Sequence, residues 1–537
     1  MKQHFTLRNV AILACLALAA VAANAGLIDP HALGLVAFAG VVGNPTNDTL
    51  ALLKAALGTP NDEIAKTVSQ STLLTAYDLQ GPAKNLYPVN TPIRNRLPRV
   101  GGVGPATNWR QITAITGSGF DAMGWVPEGQ RTARMSYQAV AKSASYVTIG
   151  EEDQVTFEAI SAGAGYEDVR STGTMRVLQK MMLKEENALI FGNATVALGT
   201  VGTVTTSTSG SGATLPTLTY SVICVALTGE GFRGASIANG VPTSKSVTGA
   251  DSNTYTLNGG SSMKSAAASQ AVTLGASLFA SVAPIAGAVG YAWYTGASGS
   301  EKLEKITTIN SVVFSAPLLG TGQAATLITA DCSLNSSYAF DGLLTTALKS
   351  GSGAYVATLA TGTAGTGTTL TASGRGTISE IDTMLQSMWD NYQVSPSILY
   401  VNSQELKNIT NKALSGASSA PLLQIYTPPG EGYGNLVAGG VVGWYFNPFC
   451  MNGGIRIPIM IHPTLPAGTI MGWCEELPMM YKSNNVPNVA EVKTRRDYYQ
   501  LDYPLRTRAQ EFGVYAELTL AVYAPFAMGV ITNIANG

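Results

Sequence analysis

The sequence predicts a mixed α+β fold interrupted by an all-β module, and three observations carry that prediction. Over residues 166–191, Met175, Leu178, Met182 and Leu189 recur at three-, four- and seven-residue steps with Arg176, Lys180, Lys184 and Glu186 between them, the pattern of one long helix. From 196 to 300 only five charged residues occur (Glu230, Arg233, Lys245, Asp251, Lys264), amid Thr, Ser, Gly and Ala, and short apolar runs alternate with turns. After 340, strand and helix patterns alternate, as in a sheet covered by helices.

Residues 1–90 hold short helical patches divided by Gly and Pro and read as an N-terminal arm. Its first 30 residues look like targeting: Lys2 and Arg8 precede an apolar run over 10–21, and Ala23-Asn24-Ala25 has the small-x-small form of a signal-peptidase site. An apolar N-terminal arm is the equal alternative. No later run reaches the ~20 apolar residues of a membrane-spanning helix.

From 87 to 99, prolines at 88, 92 and 98 remove backbone donors, so neither a continuous strand nor a helix is expected there. Residues 108–115 alternate in strand fashion. The long helix follows, with Gly192 as its expected C-terminal cap. The charge-poor block is assigned to a β-sandwich over 213–335, with strands at 219–227, 252–257, 288–294 and 311–314. In that module Trp293 is expected in the core with Tyr291 facing outward, and a carbohydrate-binding aromatic is the sharper but weaker reading. Beyond it, Thr377-Ile378-Ser379-Glu380 has the form of a capping box opening a helix that buries Ile378, Ile381, Leu385, Met388 and Trp389. Residues 397–402 read as a buried strand, a helix opens at Ser403, and strands follow at 455–463, 468–473 and 513–522.

Composition bounds function. Among 537 residues, 32 Lys and Arg stand against 33 Asp and Glu, a net charge of -1, which excludes nucleic-acid binding by bulk positive charge. Charged residues make up 12%, about half the usual share, and three scattered His offer neither a histidine metal site nor a catalytic relay. The five Cys form no CxxC pair and read as free thiols. The glycine-rich stretch 434–443 lacks the spacing of a phosphate-binding loop. Glu475-Glu476 and Glu151-Glu152-Asp153 are adjacent acids that a strand would point to opposite faces, and His462 reads as structural. No catalytic, cofactor-binding or metal-ligating residue is therefore expected, and the chain reads as something other than an enzyme.

Positive charge gathers in two places instead. Arg94, Arg96, Arg99, Arg110, Arg131 and Arg134 form one group, and Arg495, Arg496, Arg506 and Arg508 another. With Trp109, these are candidate contacts between subunits, where guanidinium forks pair with carboxylates, and contact with a phosphate backbone is the alternative.

Several strings, in their order of appearance, resemble the major capsid proteins of tailed bacteriophages of the Hong Kong 97 type. They are Tyr87-Pro88-Val89-Asn90-Thr91-Pro92, Trp109-Arg110, Phe157-Glu158-Ala159, Lys184-Glu185-Glu186, Leu370-Thr371-Ala372-Ser373-Gly374 and Met388-Trp389-Asp390-Asn391. The later ones are Ser397-Ile398-Leu399-Tyr400-Val401-Asn402, residues 461–469 from Ile461-His462-Pro463, and Asp497-Tyr498-Tyr499-Gln500-Leu501-Asp502-Tyr503-Pro504. The resemblance covers 87–195 and 337–537. It implies an N-terminal arm, an extended β loop over about 100–150, a peripheral domain with a long spine helix (91–212 together with the loop), an immunoglobulin-like insertion (213–335) and an axial domain with the remaining peripheral strands (336–537). It further implies identical subunits joined as hexamers and pentamers of an icosahedral shell in the virion, assembled in the host cytoplasm without a membrane. Packaged double-stranded DNA, a portal protein and scaffold or decoration proteins would be its other partners, and no cofactor is implied. The signal-like start departs from that family. With the sandwich texture, it supports the rival reading of an exported surface adhesin or carbohydrate-binding protein.

Overall fold

The computed structural model describes residues 86–116, 125–131, 134–249, 251–374, 376–415, 425–426, 435–436, 442–451, 453–482 and 486–535. The signal-like start, the apolar run over 10–21, His4, His31, Cys15 and most of 434–443 lie outside them. The described chain is a mixed α+β structure with two main sheets and a separate pair of smaller ones.

The first main sheet has strand order Arg99–Gly101, Ala490–Asp502, Ala509–Val522, Val147–Thr156, with the first pair parallel and the others antiparallel. The long helix Val169–Phe191 covers it. Asp168 caps that helix, accepting the Arg170 and Ser171 amides at 3.1 Å each. Its buried residues are Gly173, Val177, Met181, Glu185, Glu186, Leu189, Ile190 and Phe191, whereas Met175 is 61% exposed. The expected Met175–Leu178–Met182 stripe is thus offset from the true core face, because methionine and leucine occur on both sides of this helix and only packing tells them apart. Gly192 does close the helix, but with φ -48 rather than a left-handed turn. Glycine is required there by the close approach of the Phe340 carbonyl oxygen, which a Cβ would strike.

The second main sheet has six strands, ordered Tyr355–Thr358, Met528–Thr532, Ile470–Trp473, Ile398–Val401, Ile455–Ile461, Trp444–Asn447. Ile398–Val401 is buried throughout, as its unbroken apolar run predicts for a central strand. The helix Ser379–Tyr392 buries Ile381, Met384, Leu385 and Met388, and Gln393 ends it in the left-handed region at φ 55. The capping box is not formed. Ile378 occupies the cap position with no side-chain bond, and the Glu380 carboxylate reaches back instead to the Thr371 amide at 2.9 Å.

Between these lies the charge-poor module. A three-stranded sheet (Ser311–Phe314, Ser277–Ser281, Thr205–Ser209) faces a four-stranded one (Lys302–Thr307, Gly290–Gly296, Leu218–Leu227, Ala268–Val272). Leu198, Val201, Val204, Val222, Cys224, Leu278, Trp293 and Phe314 fill a shared core. The module therefore starts earlier than residue 213: 205–209 is one of its strands, overlooked because it consists of Thr and Ser alone. Trp293 is core, with its Nε1–H donating to Thr307 Oγ1 at 2.9 Å. Tyr291 is buried too, contrary to the outward placement expected, because residues two apart in a strand share a face. Tyr294 and Ile223 face the opposite side into a second cluster with Leu303 and Ile328, which is why Leu218–Leu227 reads as a continuous apolar run. Cys224, Cys332 and Cys474 are buried thiols outside any disulfide.

The short helix Gly229–Gly234 joins this module to the long helix: a Cβ on Gly229 would enter the Phe191 ring, and Arg233 donates to Asn187 Oδ1. Burial in this joint pushes the Glu230 carboxyl from 4.5 up to about 7. A raised carboxyl pKa means that the folded chain binds the extra proton between those values, so folding stability falls as pH rises from 4.5 to 7. Glu230→Gln is expected to raise the melting temperature at about pH 8, by roughly 1–3 kcal/mol of stability, and to leave it unchanged at about pH 4. Calorimetry at the two pH values checks this; an equal shift at both would show that charge is not the cause.

Finally, Ala106–Thr116 and Ser136–Ser145 form a two-stranded antiparallel hairpin that pairs with no other strand among the described residues. Its root is anchored, with Trp109 edge-on to Tyr523 at 5.4 Å and Gln111 Nε2 donating to the Tyr523 carbonyl at 2.6 Å. Farther out, Ile112, Ile115, Tyr137 and Val140 are exposed. A lone hairpin gains too little burial to be stable by itself.

Candidate functional site: a buried carboxylate pair that anchors the arm-to-hairpin segment

The segment expected to lack regular structure, 87–99, contains one turn of helix, Pro92–Arg96, and proline is tolerated because it stands at the first helical position. No local side chain caps it. Its amides go to a residue 92 and 93 positions away: Glu186 Oε1 accepts from Ile93 N at 3.0 Å and Oε2 from Arg94 N at 2.7 Å. The long helix thus supplies a cap to another helix through a carboxylate that is 1% exposed.

Glu186 Oε1 also meets His462 Nε2 at 2.7 Å, and His462 is fully buried. The Thr464 amide donates to His462 Nδ1 at 3.3 Å, which makes Nδ1 the acceptor and assigns the proton to Nε2, so the imidazole donates to Glu186. His462 immediately follows strand Ile455–Ile461 of the six-stranded sheet. Glu186 therefore joins three parts of the chain at one point: the 92–96 turn, the long helix and the six-stranded sheet. The expectation of a structural histidine fits this geometry.

Glu185, equally buried, faces the other way. It accepts from Arg94 Nε at 2.6 Å, from Arg99 and from the Tyr498 hydroxyl. Arg99 also forks onto Asp497, with Nη2 to Oδ1 at 2.6 Å, and both guanidinium groups lie over the Tyr498 ring. Burial alone would lower the Arg99 pKa, but its bonds to Asp497 and Glu185 outweigh burial and raise it; burial and Glu185 together raise that of the Tyr498 hydroxyl. Two arginines and a phenol around one carboxylate satisfy its oxygens, as an ion cluster shielded from water requires.

The structure separates the predicted arginines into two classes. Arg94, Arg96, Arg99, Arg495 and Arg508 are engaged within the chain: Arg96 with Glu475 at 2.7 Å, Arg495 with Glu517 at 2.5 Å, Arg508 with Glu158 at 2.8 Å, and the other two as above. Arg496 lies over the Tyr499 ring at 5.6 Å, and Trp109 packs on Tyr523. Arg110, Arg131, Arg134 and Arg506 are exposed, and no described residue pairs with them. Glu185 and Glu186 went unassigned as functional residues, since a separation of about 90 positions leaves no spacing signal. The one available clue was two acids set between the apolar runs 181–183 and 188–191.

Residues 318–535, about two fifths of the chain, match the family model of the SU10 major capsid protein. Among solved structures, the chain is similar to the capsid of a native GTA particle (9% identity, 89% of this chain and 100% of that one, TM-score 0.39). It is likewise similar to a chain of Mycobacterium phage Bobi (9%, 87% and 98%, TM-score 0.38) and to the capsid of Myoviridae phage XM1 (8%, 85% and 95%, TM-score 0.35). These likenesses are too remote to carry an argument. No curated protein matches the chain. A subunit that forms a phage capsid shell, with the virion as its place, is the function that the match over 318–535 supports.

Proposed function

We propose that this chain is the major capsid protein of a tailed bacteriophage of the Hong Kong 97 type, tiling an icosahedral shell of hexamers and pentamers around double-stranded DNA. The match of residues 318–535 to a major capsid protein family is the observation that carries the reading. The hairpin adds physical support. Its exposed Ile112, Ile115, Tyr137 and Val140 find no cover among the described residues, and a neighbouring copy is the partner that would complete their burial. Arg110, Arg131 and Arg134, on or beside the hairpin, and Arg506 then serve as contacts between subunits, while the engaged arginines hold each subunit in shape. The charge-poor module, two facing sheets with Trp293 between them, is an immunoglobulin-like insertion. A portal protein, scaffold or decoration proteins and DNA held without sequence specificity complete the set of partners.

Recombinant chain imaged by negative-stain electron microscopy should show uniform closed particles; monodisperse single subunits at high concentration would overturn the reading. Replacing Ile112 and Ile115 together by Asp should abolish particles while leaving the circular dichroism and melting temperature of the subunit unchanged, because both side chains already face water. Particles of normal yield from that variant would remove the hairpin from the assembly mechanism.

A further inference from the structure

Besides the Gly229–Gly234 joint, the charge-poor module is bolted to the rest of the chain at two further places. At its entry and exit, Asn193 Nδ2 donates to the Ser333 carbonyl at 2.8 Å, and the Asp341 carboxylate accepts the Ala194 and Thr195 amides at 2.8 and 3.0 Å. The second attachment is a reciprocal pair of amides. Asn310 N donates to Asn533 Oδ1 at 2.9 Å, and Asn533 Nδ2 donates to Asn310 Oδ1 at 3.1 Å and to the Leu359 carbonyl at 2.7 Å. Asn310 Nδ2 also reaches Thr361 Oγ1 at 2.8 Å, and Asn533 holds a left-handed φ of 64 to do this. Both asparagines are buried. Two attachments far apart in sequence remove the swivel that a module on a single linker would have.

The end of the module away from these attachments is a cluster of three loops. Ala213 N donates to the Gly275 carbonyl at 3.1 Å and Thr214 N to the Ser315 carbonyl at 2.9 Å, so loops 210–217, 273–276 and 315–321 touch. They contain no Asp, Glu, Lys or Arg. Leu274 is 80% exposed and Leu319 is 62% exposed. The Leu319 placement is built: Glu304, 5% exposed, accepts the Leu319 and Gly320 amides at 2.7 Å each, which fixes the loop with Leu318 turned inward and Leu319 outward.

We infer that this loop end is a contact surface for the same loop end of a second copy of the chain. The inference rests on the shell reading. A rigid mount gives the loop end one position relative to the subunit body, which a contact repeated between identical copies demands and a freely searching binding module does not. An uncharged patch can meet its own copy without like-charge repulsion, and leucines on a pre-fixed loop lose little freedom on contact.

The test uses the full-length chain with Leu319→Cys and, separately, Leu274→Cys, oxidised mildly and run on non-reducing gels beside the unsubstituted chain. Oxidised as assembled particles, at least one variant should yield an intersubunit disulfide and the unsubstituted chain none, and subunits dissociated before oxidation should yield none. The double variant Leu274→Asp, Leu319→Asp should raise the concentration needed for assembly by roughly tenfold or more, with an unchanged melting temperature for the subunit. Absence of the disulfide in particles from both cysteine variants, together with normal assembly of the double variant, overturns the contact and leaves the shell reading intact. Failure of the unsubstituted chain to form particles overturns the shell reading instead. The cysteine crosslinks of the concentrated chain then decide the contact: a disulfide upholds it and none refutes it.

Discussion

Glu186→Ala is expected to detach the 91–99 segment from the long helix and to cost about 3–5 kcal/mol, the range for breaking a buried charged network at one partner. The loss is large because three donors become orphans together: the amides of Ile93 and Arg94, and the His462 Nε2–H, all away from water. Glu186→Gln keeps the volume and one acceptor oxygen, and should lose roughly half as much. Hydrogen exchange of residues 92–101, measured on the unassembled chain, reads the difference, with protection falling in the order wild type, Gln, Ala. Equal protection in all three would mean that Arg94 and Arg99, through Glu185, hold the segment without help. Exchange is preferable to a single melting temperature here, since a chain with several cooperative units has no single unfolding free energy.

Trp293→Ala is expected to cost the charge-poor module about 3–5 kcal/mol, because the indole fills the space between its two sheets and the cavity left cannot collapse onto flanking Val222, Leu278 and Phe314. The change also frees Thr307 Oγ1, which accepts from the indole and donates to the Ile309 carbonyl at 2.6 Å. Trp293→Phe should fall between, retaining most of the apolar contact and losing the hydrogen bond. Strands Leu218–Leu227, Ser277–Ser281 and Gly290–Gly296 should lose exchange protection first, and the long helix should keep its own. Simultaneous loss in the module and the six-stranded sheet would mean that the Asn310–Asn533 joint makes them one cooperative unit.

What the sequence makes legible follows from how local each determinant is. The strands at 398–401 and 311–314 and the helix over 379–392 were readable because an apolar run or stripe is a property of neighbouring residues. Trp293 in the core was readable for the same reason. The Thr/Ser strand 205–209 was not: its side chains are ambiguous between turn and strand, and pairing with Ser277–Ser281 decides. The buried face of the long helix was misplaced because methionines ring it, and the Thr377–Glu380 box did not form because Glu380 accepts the Thr371 amide instead. The anchoring site was invisible for a different reason. Glu185, Glu186, Arg94, Arg99, His462 and Tyr498 come together only after the chain has folded, so no spacing could announce them. The same limit hid the carboxylate that Arg94 and Arg99 meet within their own chain.

The hairpin at 106–145 also determines when this chain is most easily destroyed. Pinned at its root by Trp109 and Gln111, the strand pair Ala106–Thr116 and Ser136–Ser145 presents exposed residues to proteases for as long as a subunit stays solitary. If a neighbouring copy covers these strands, as proposed, incorporation would withdraw that offer, and their digestion rate would serve as a clock for recruitment.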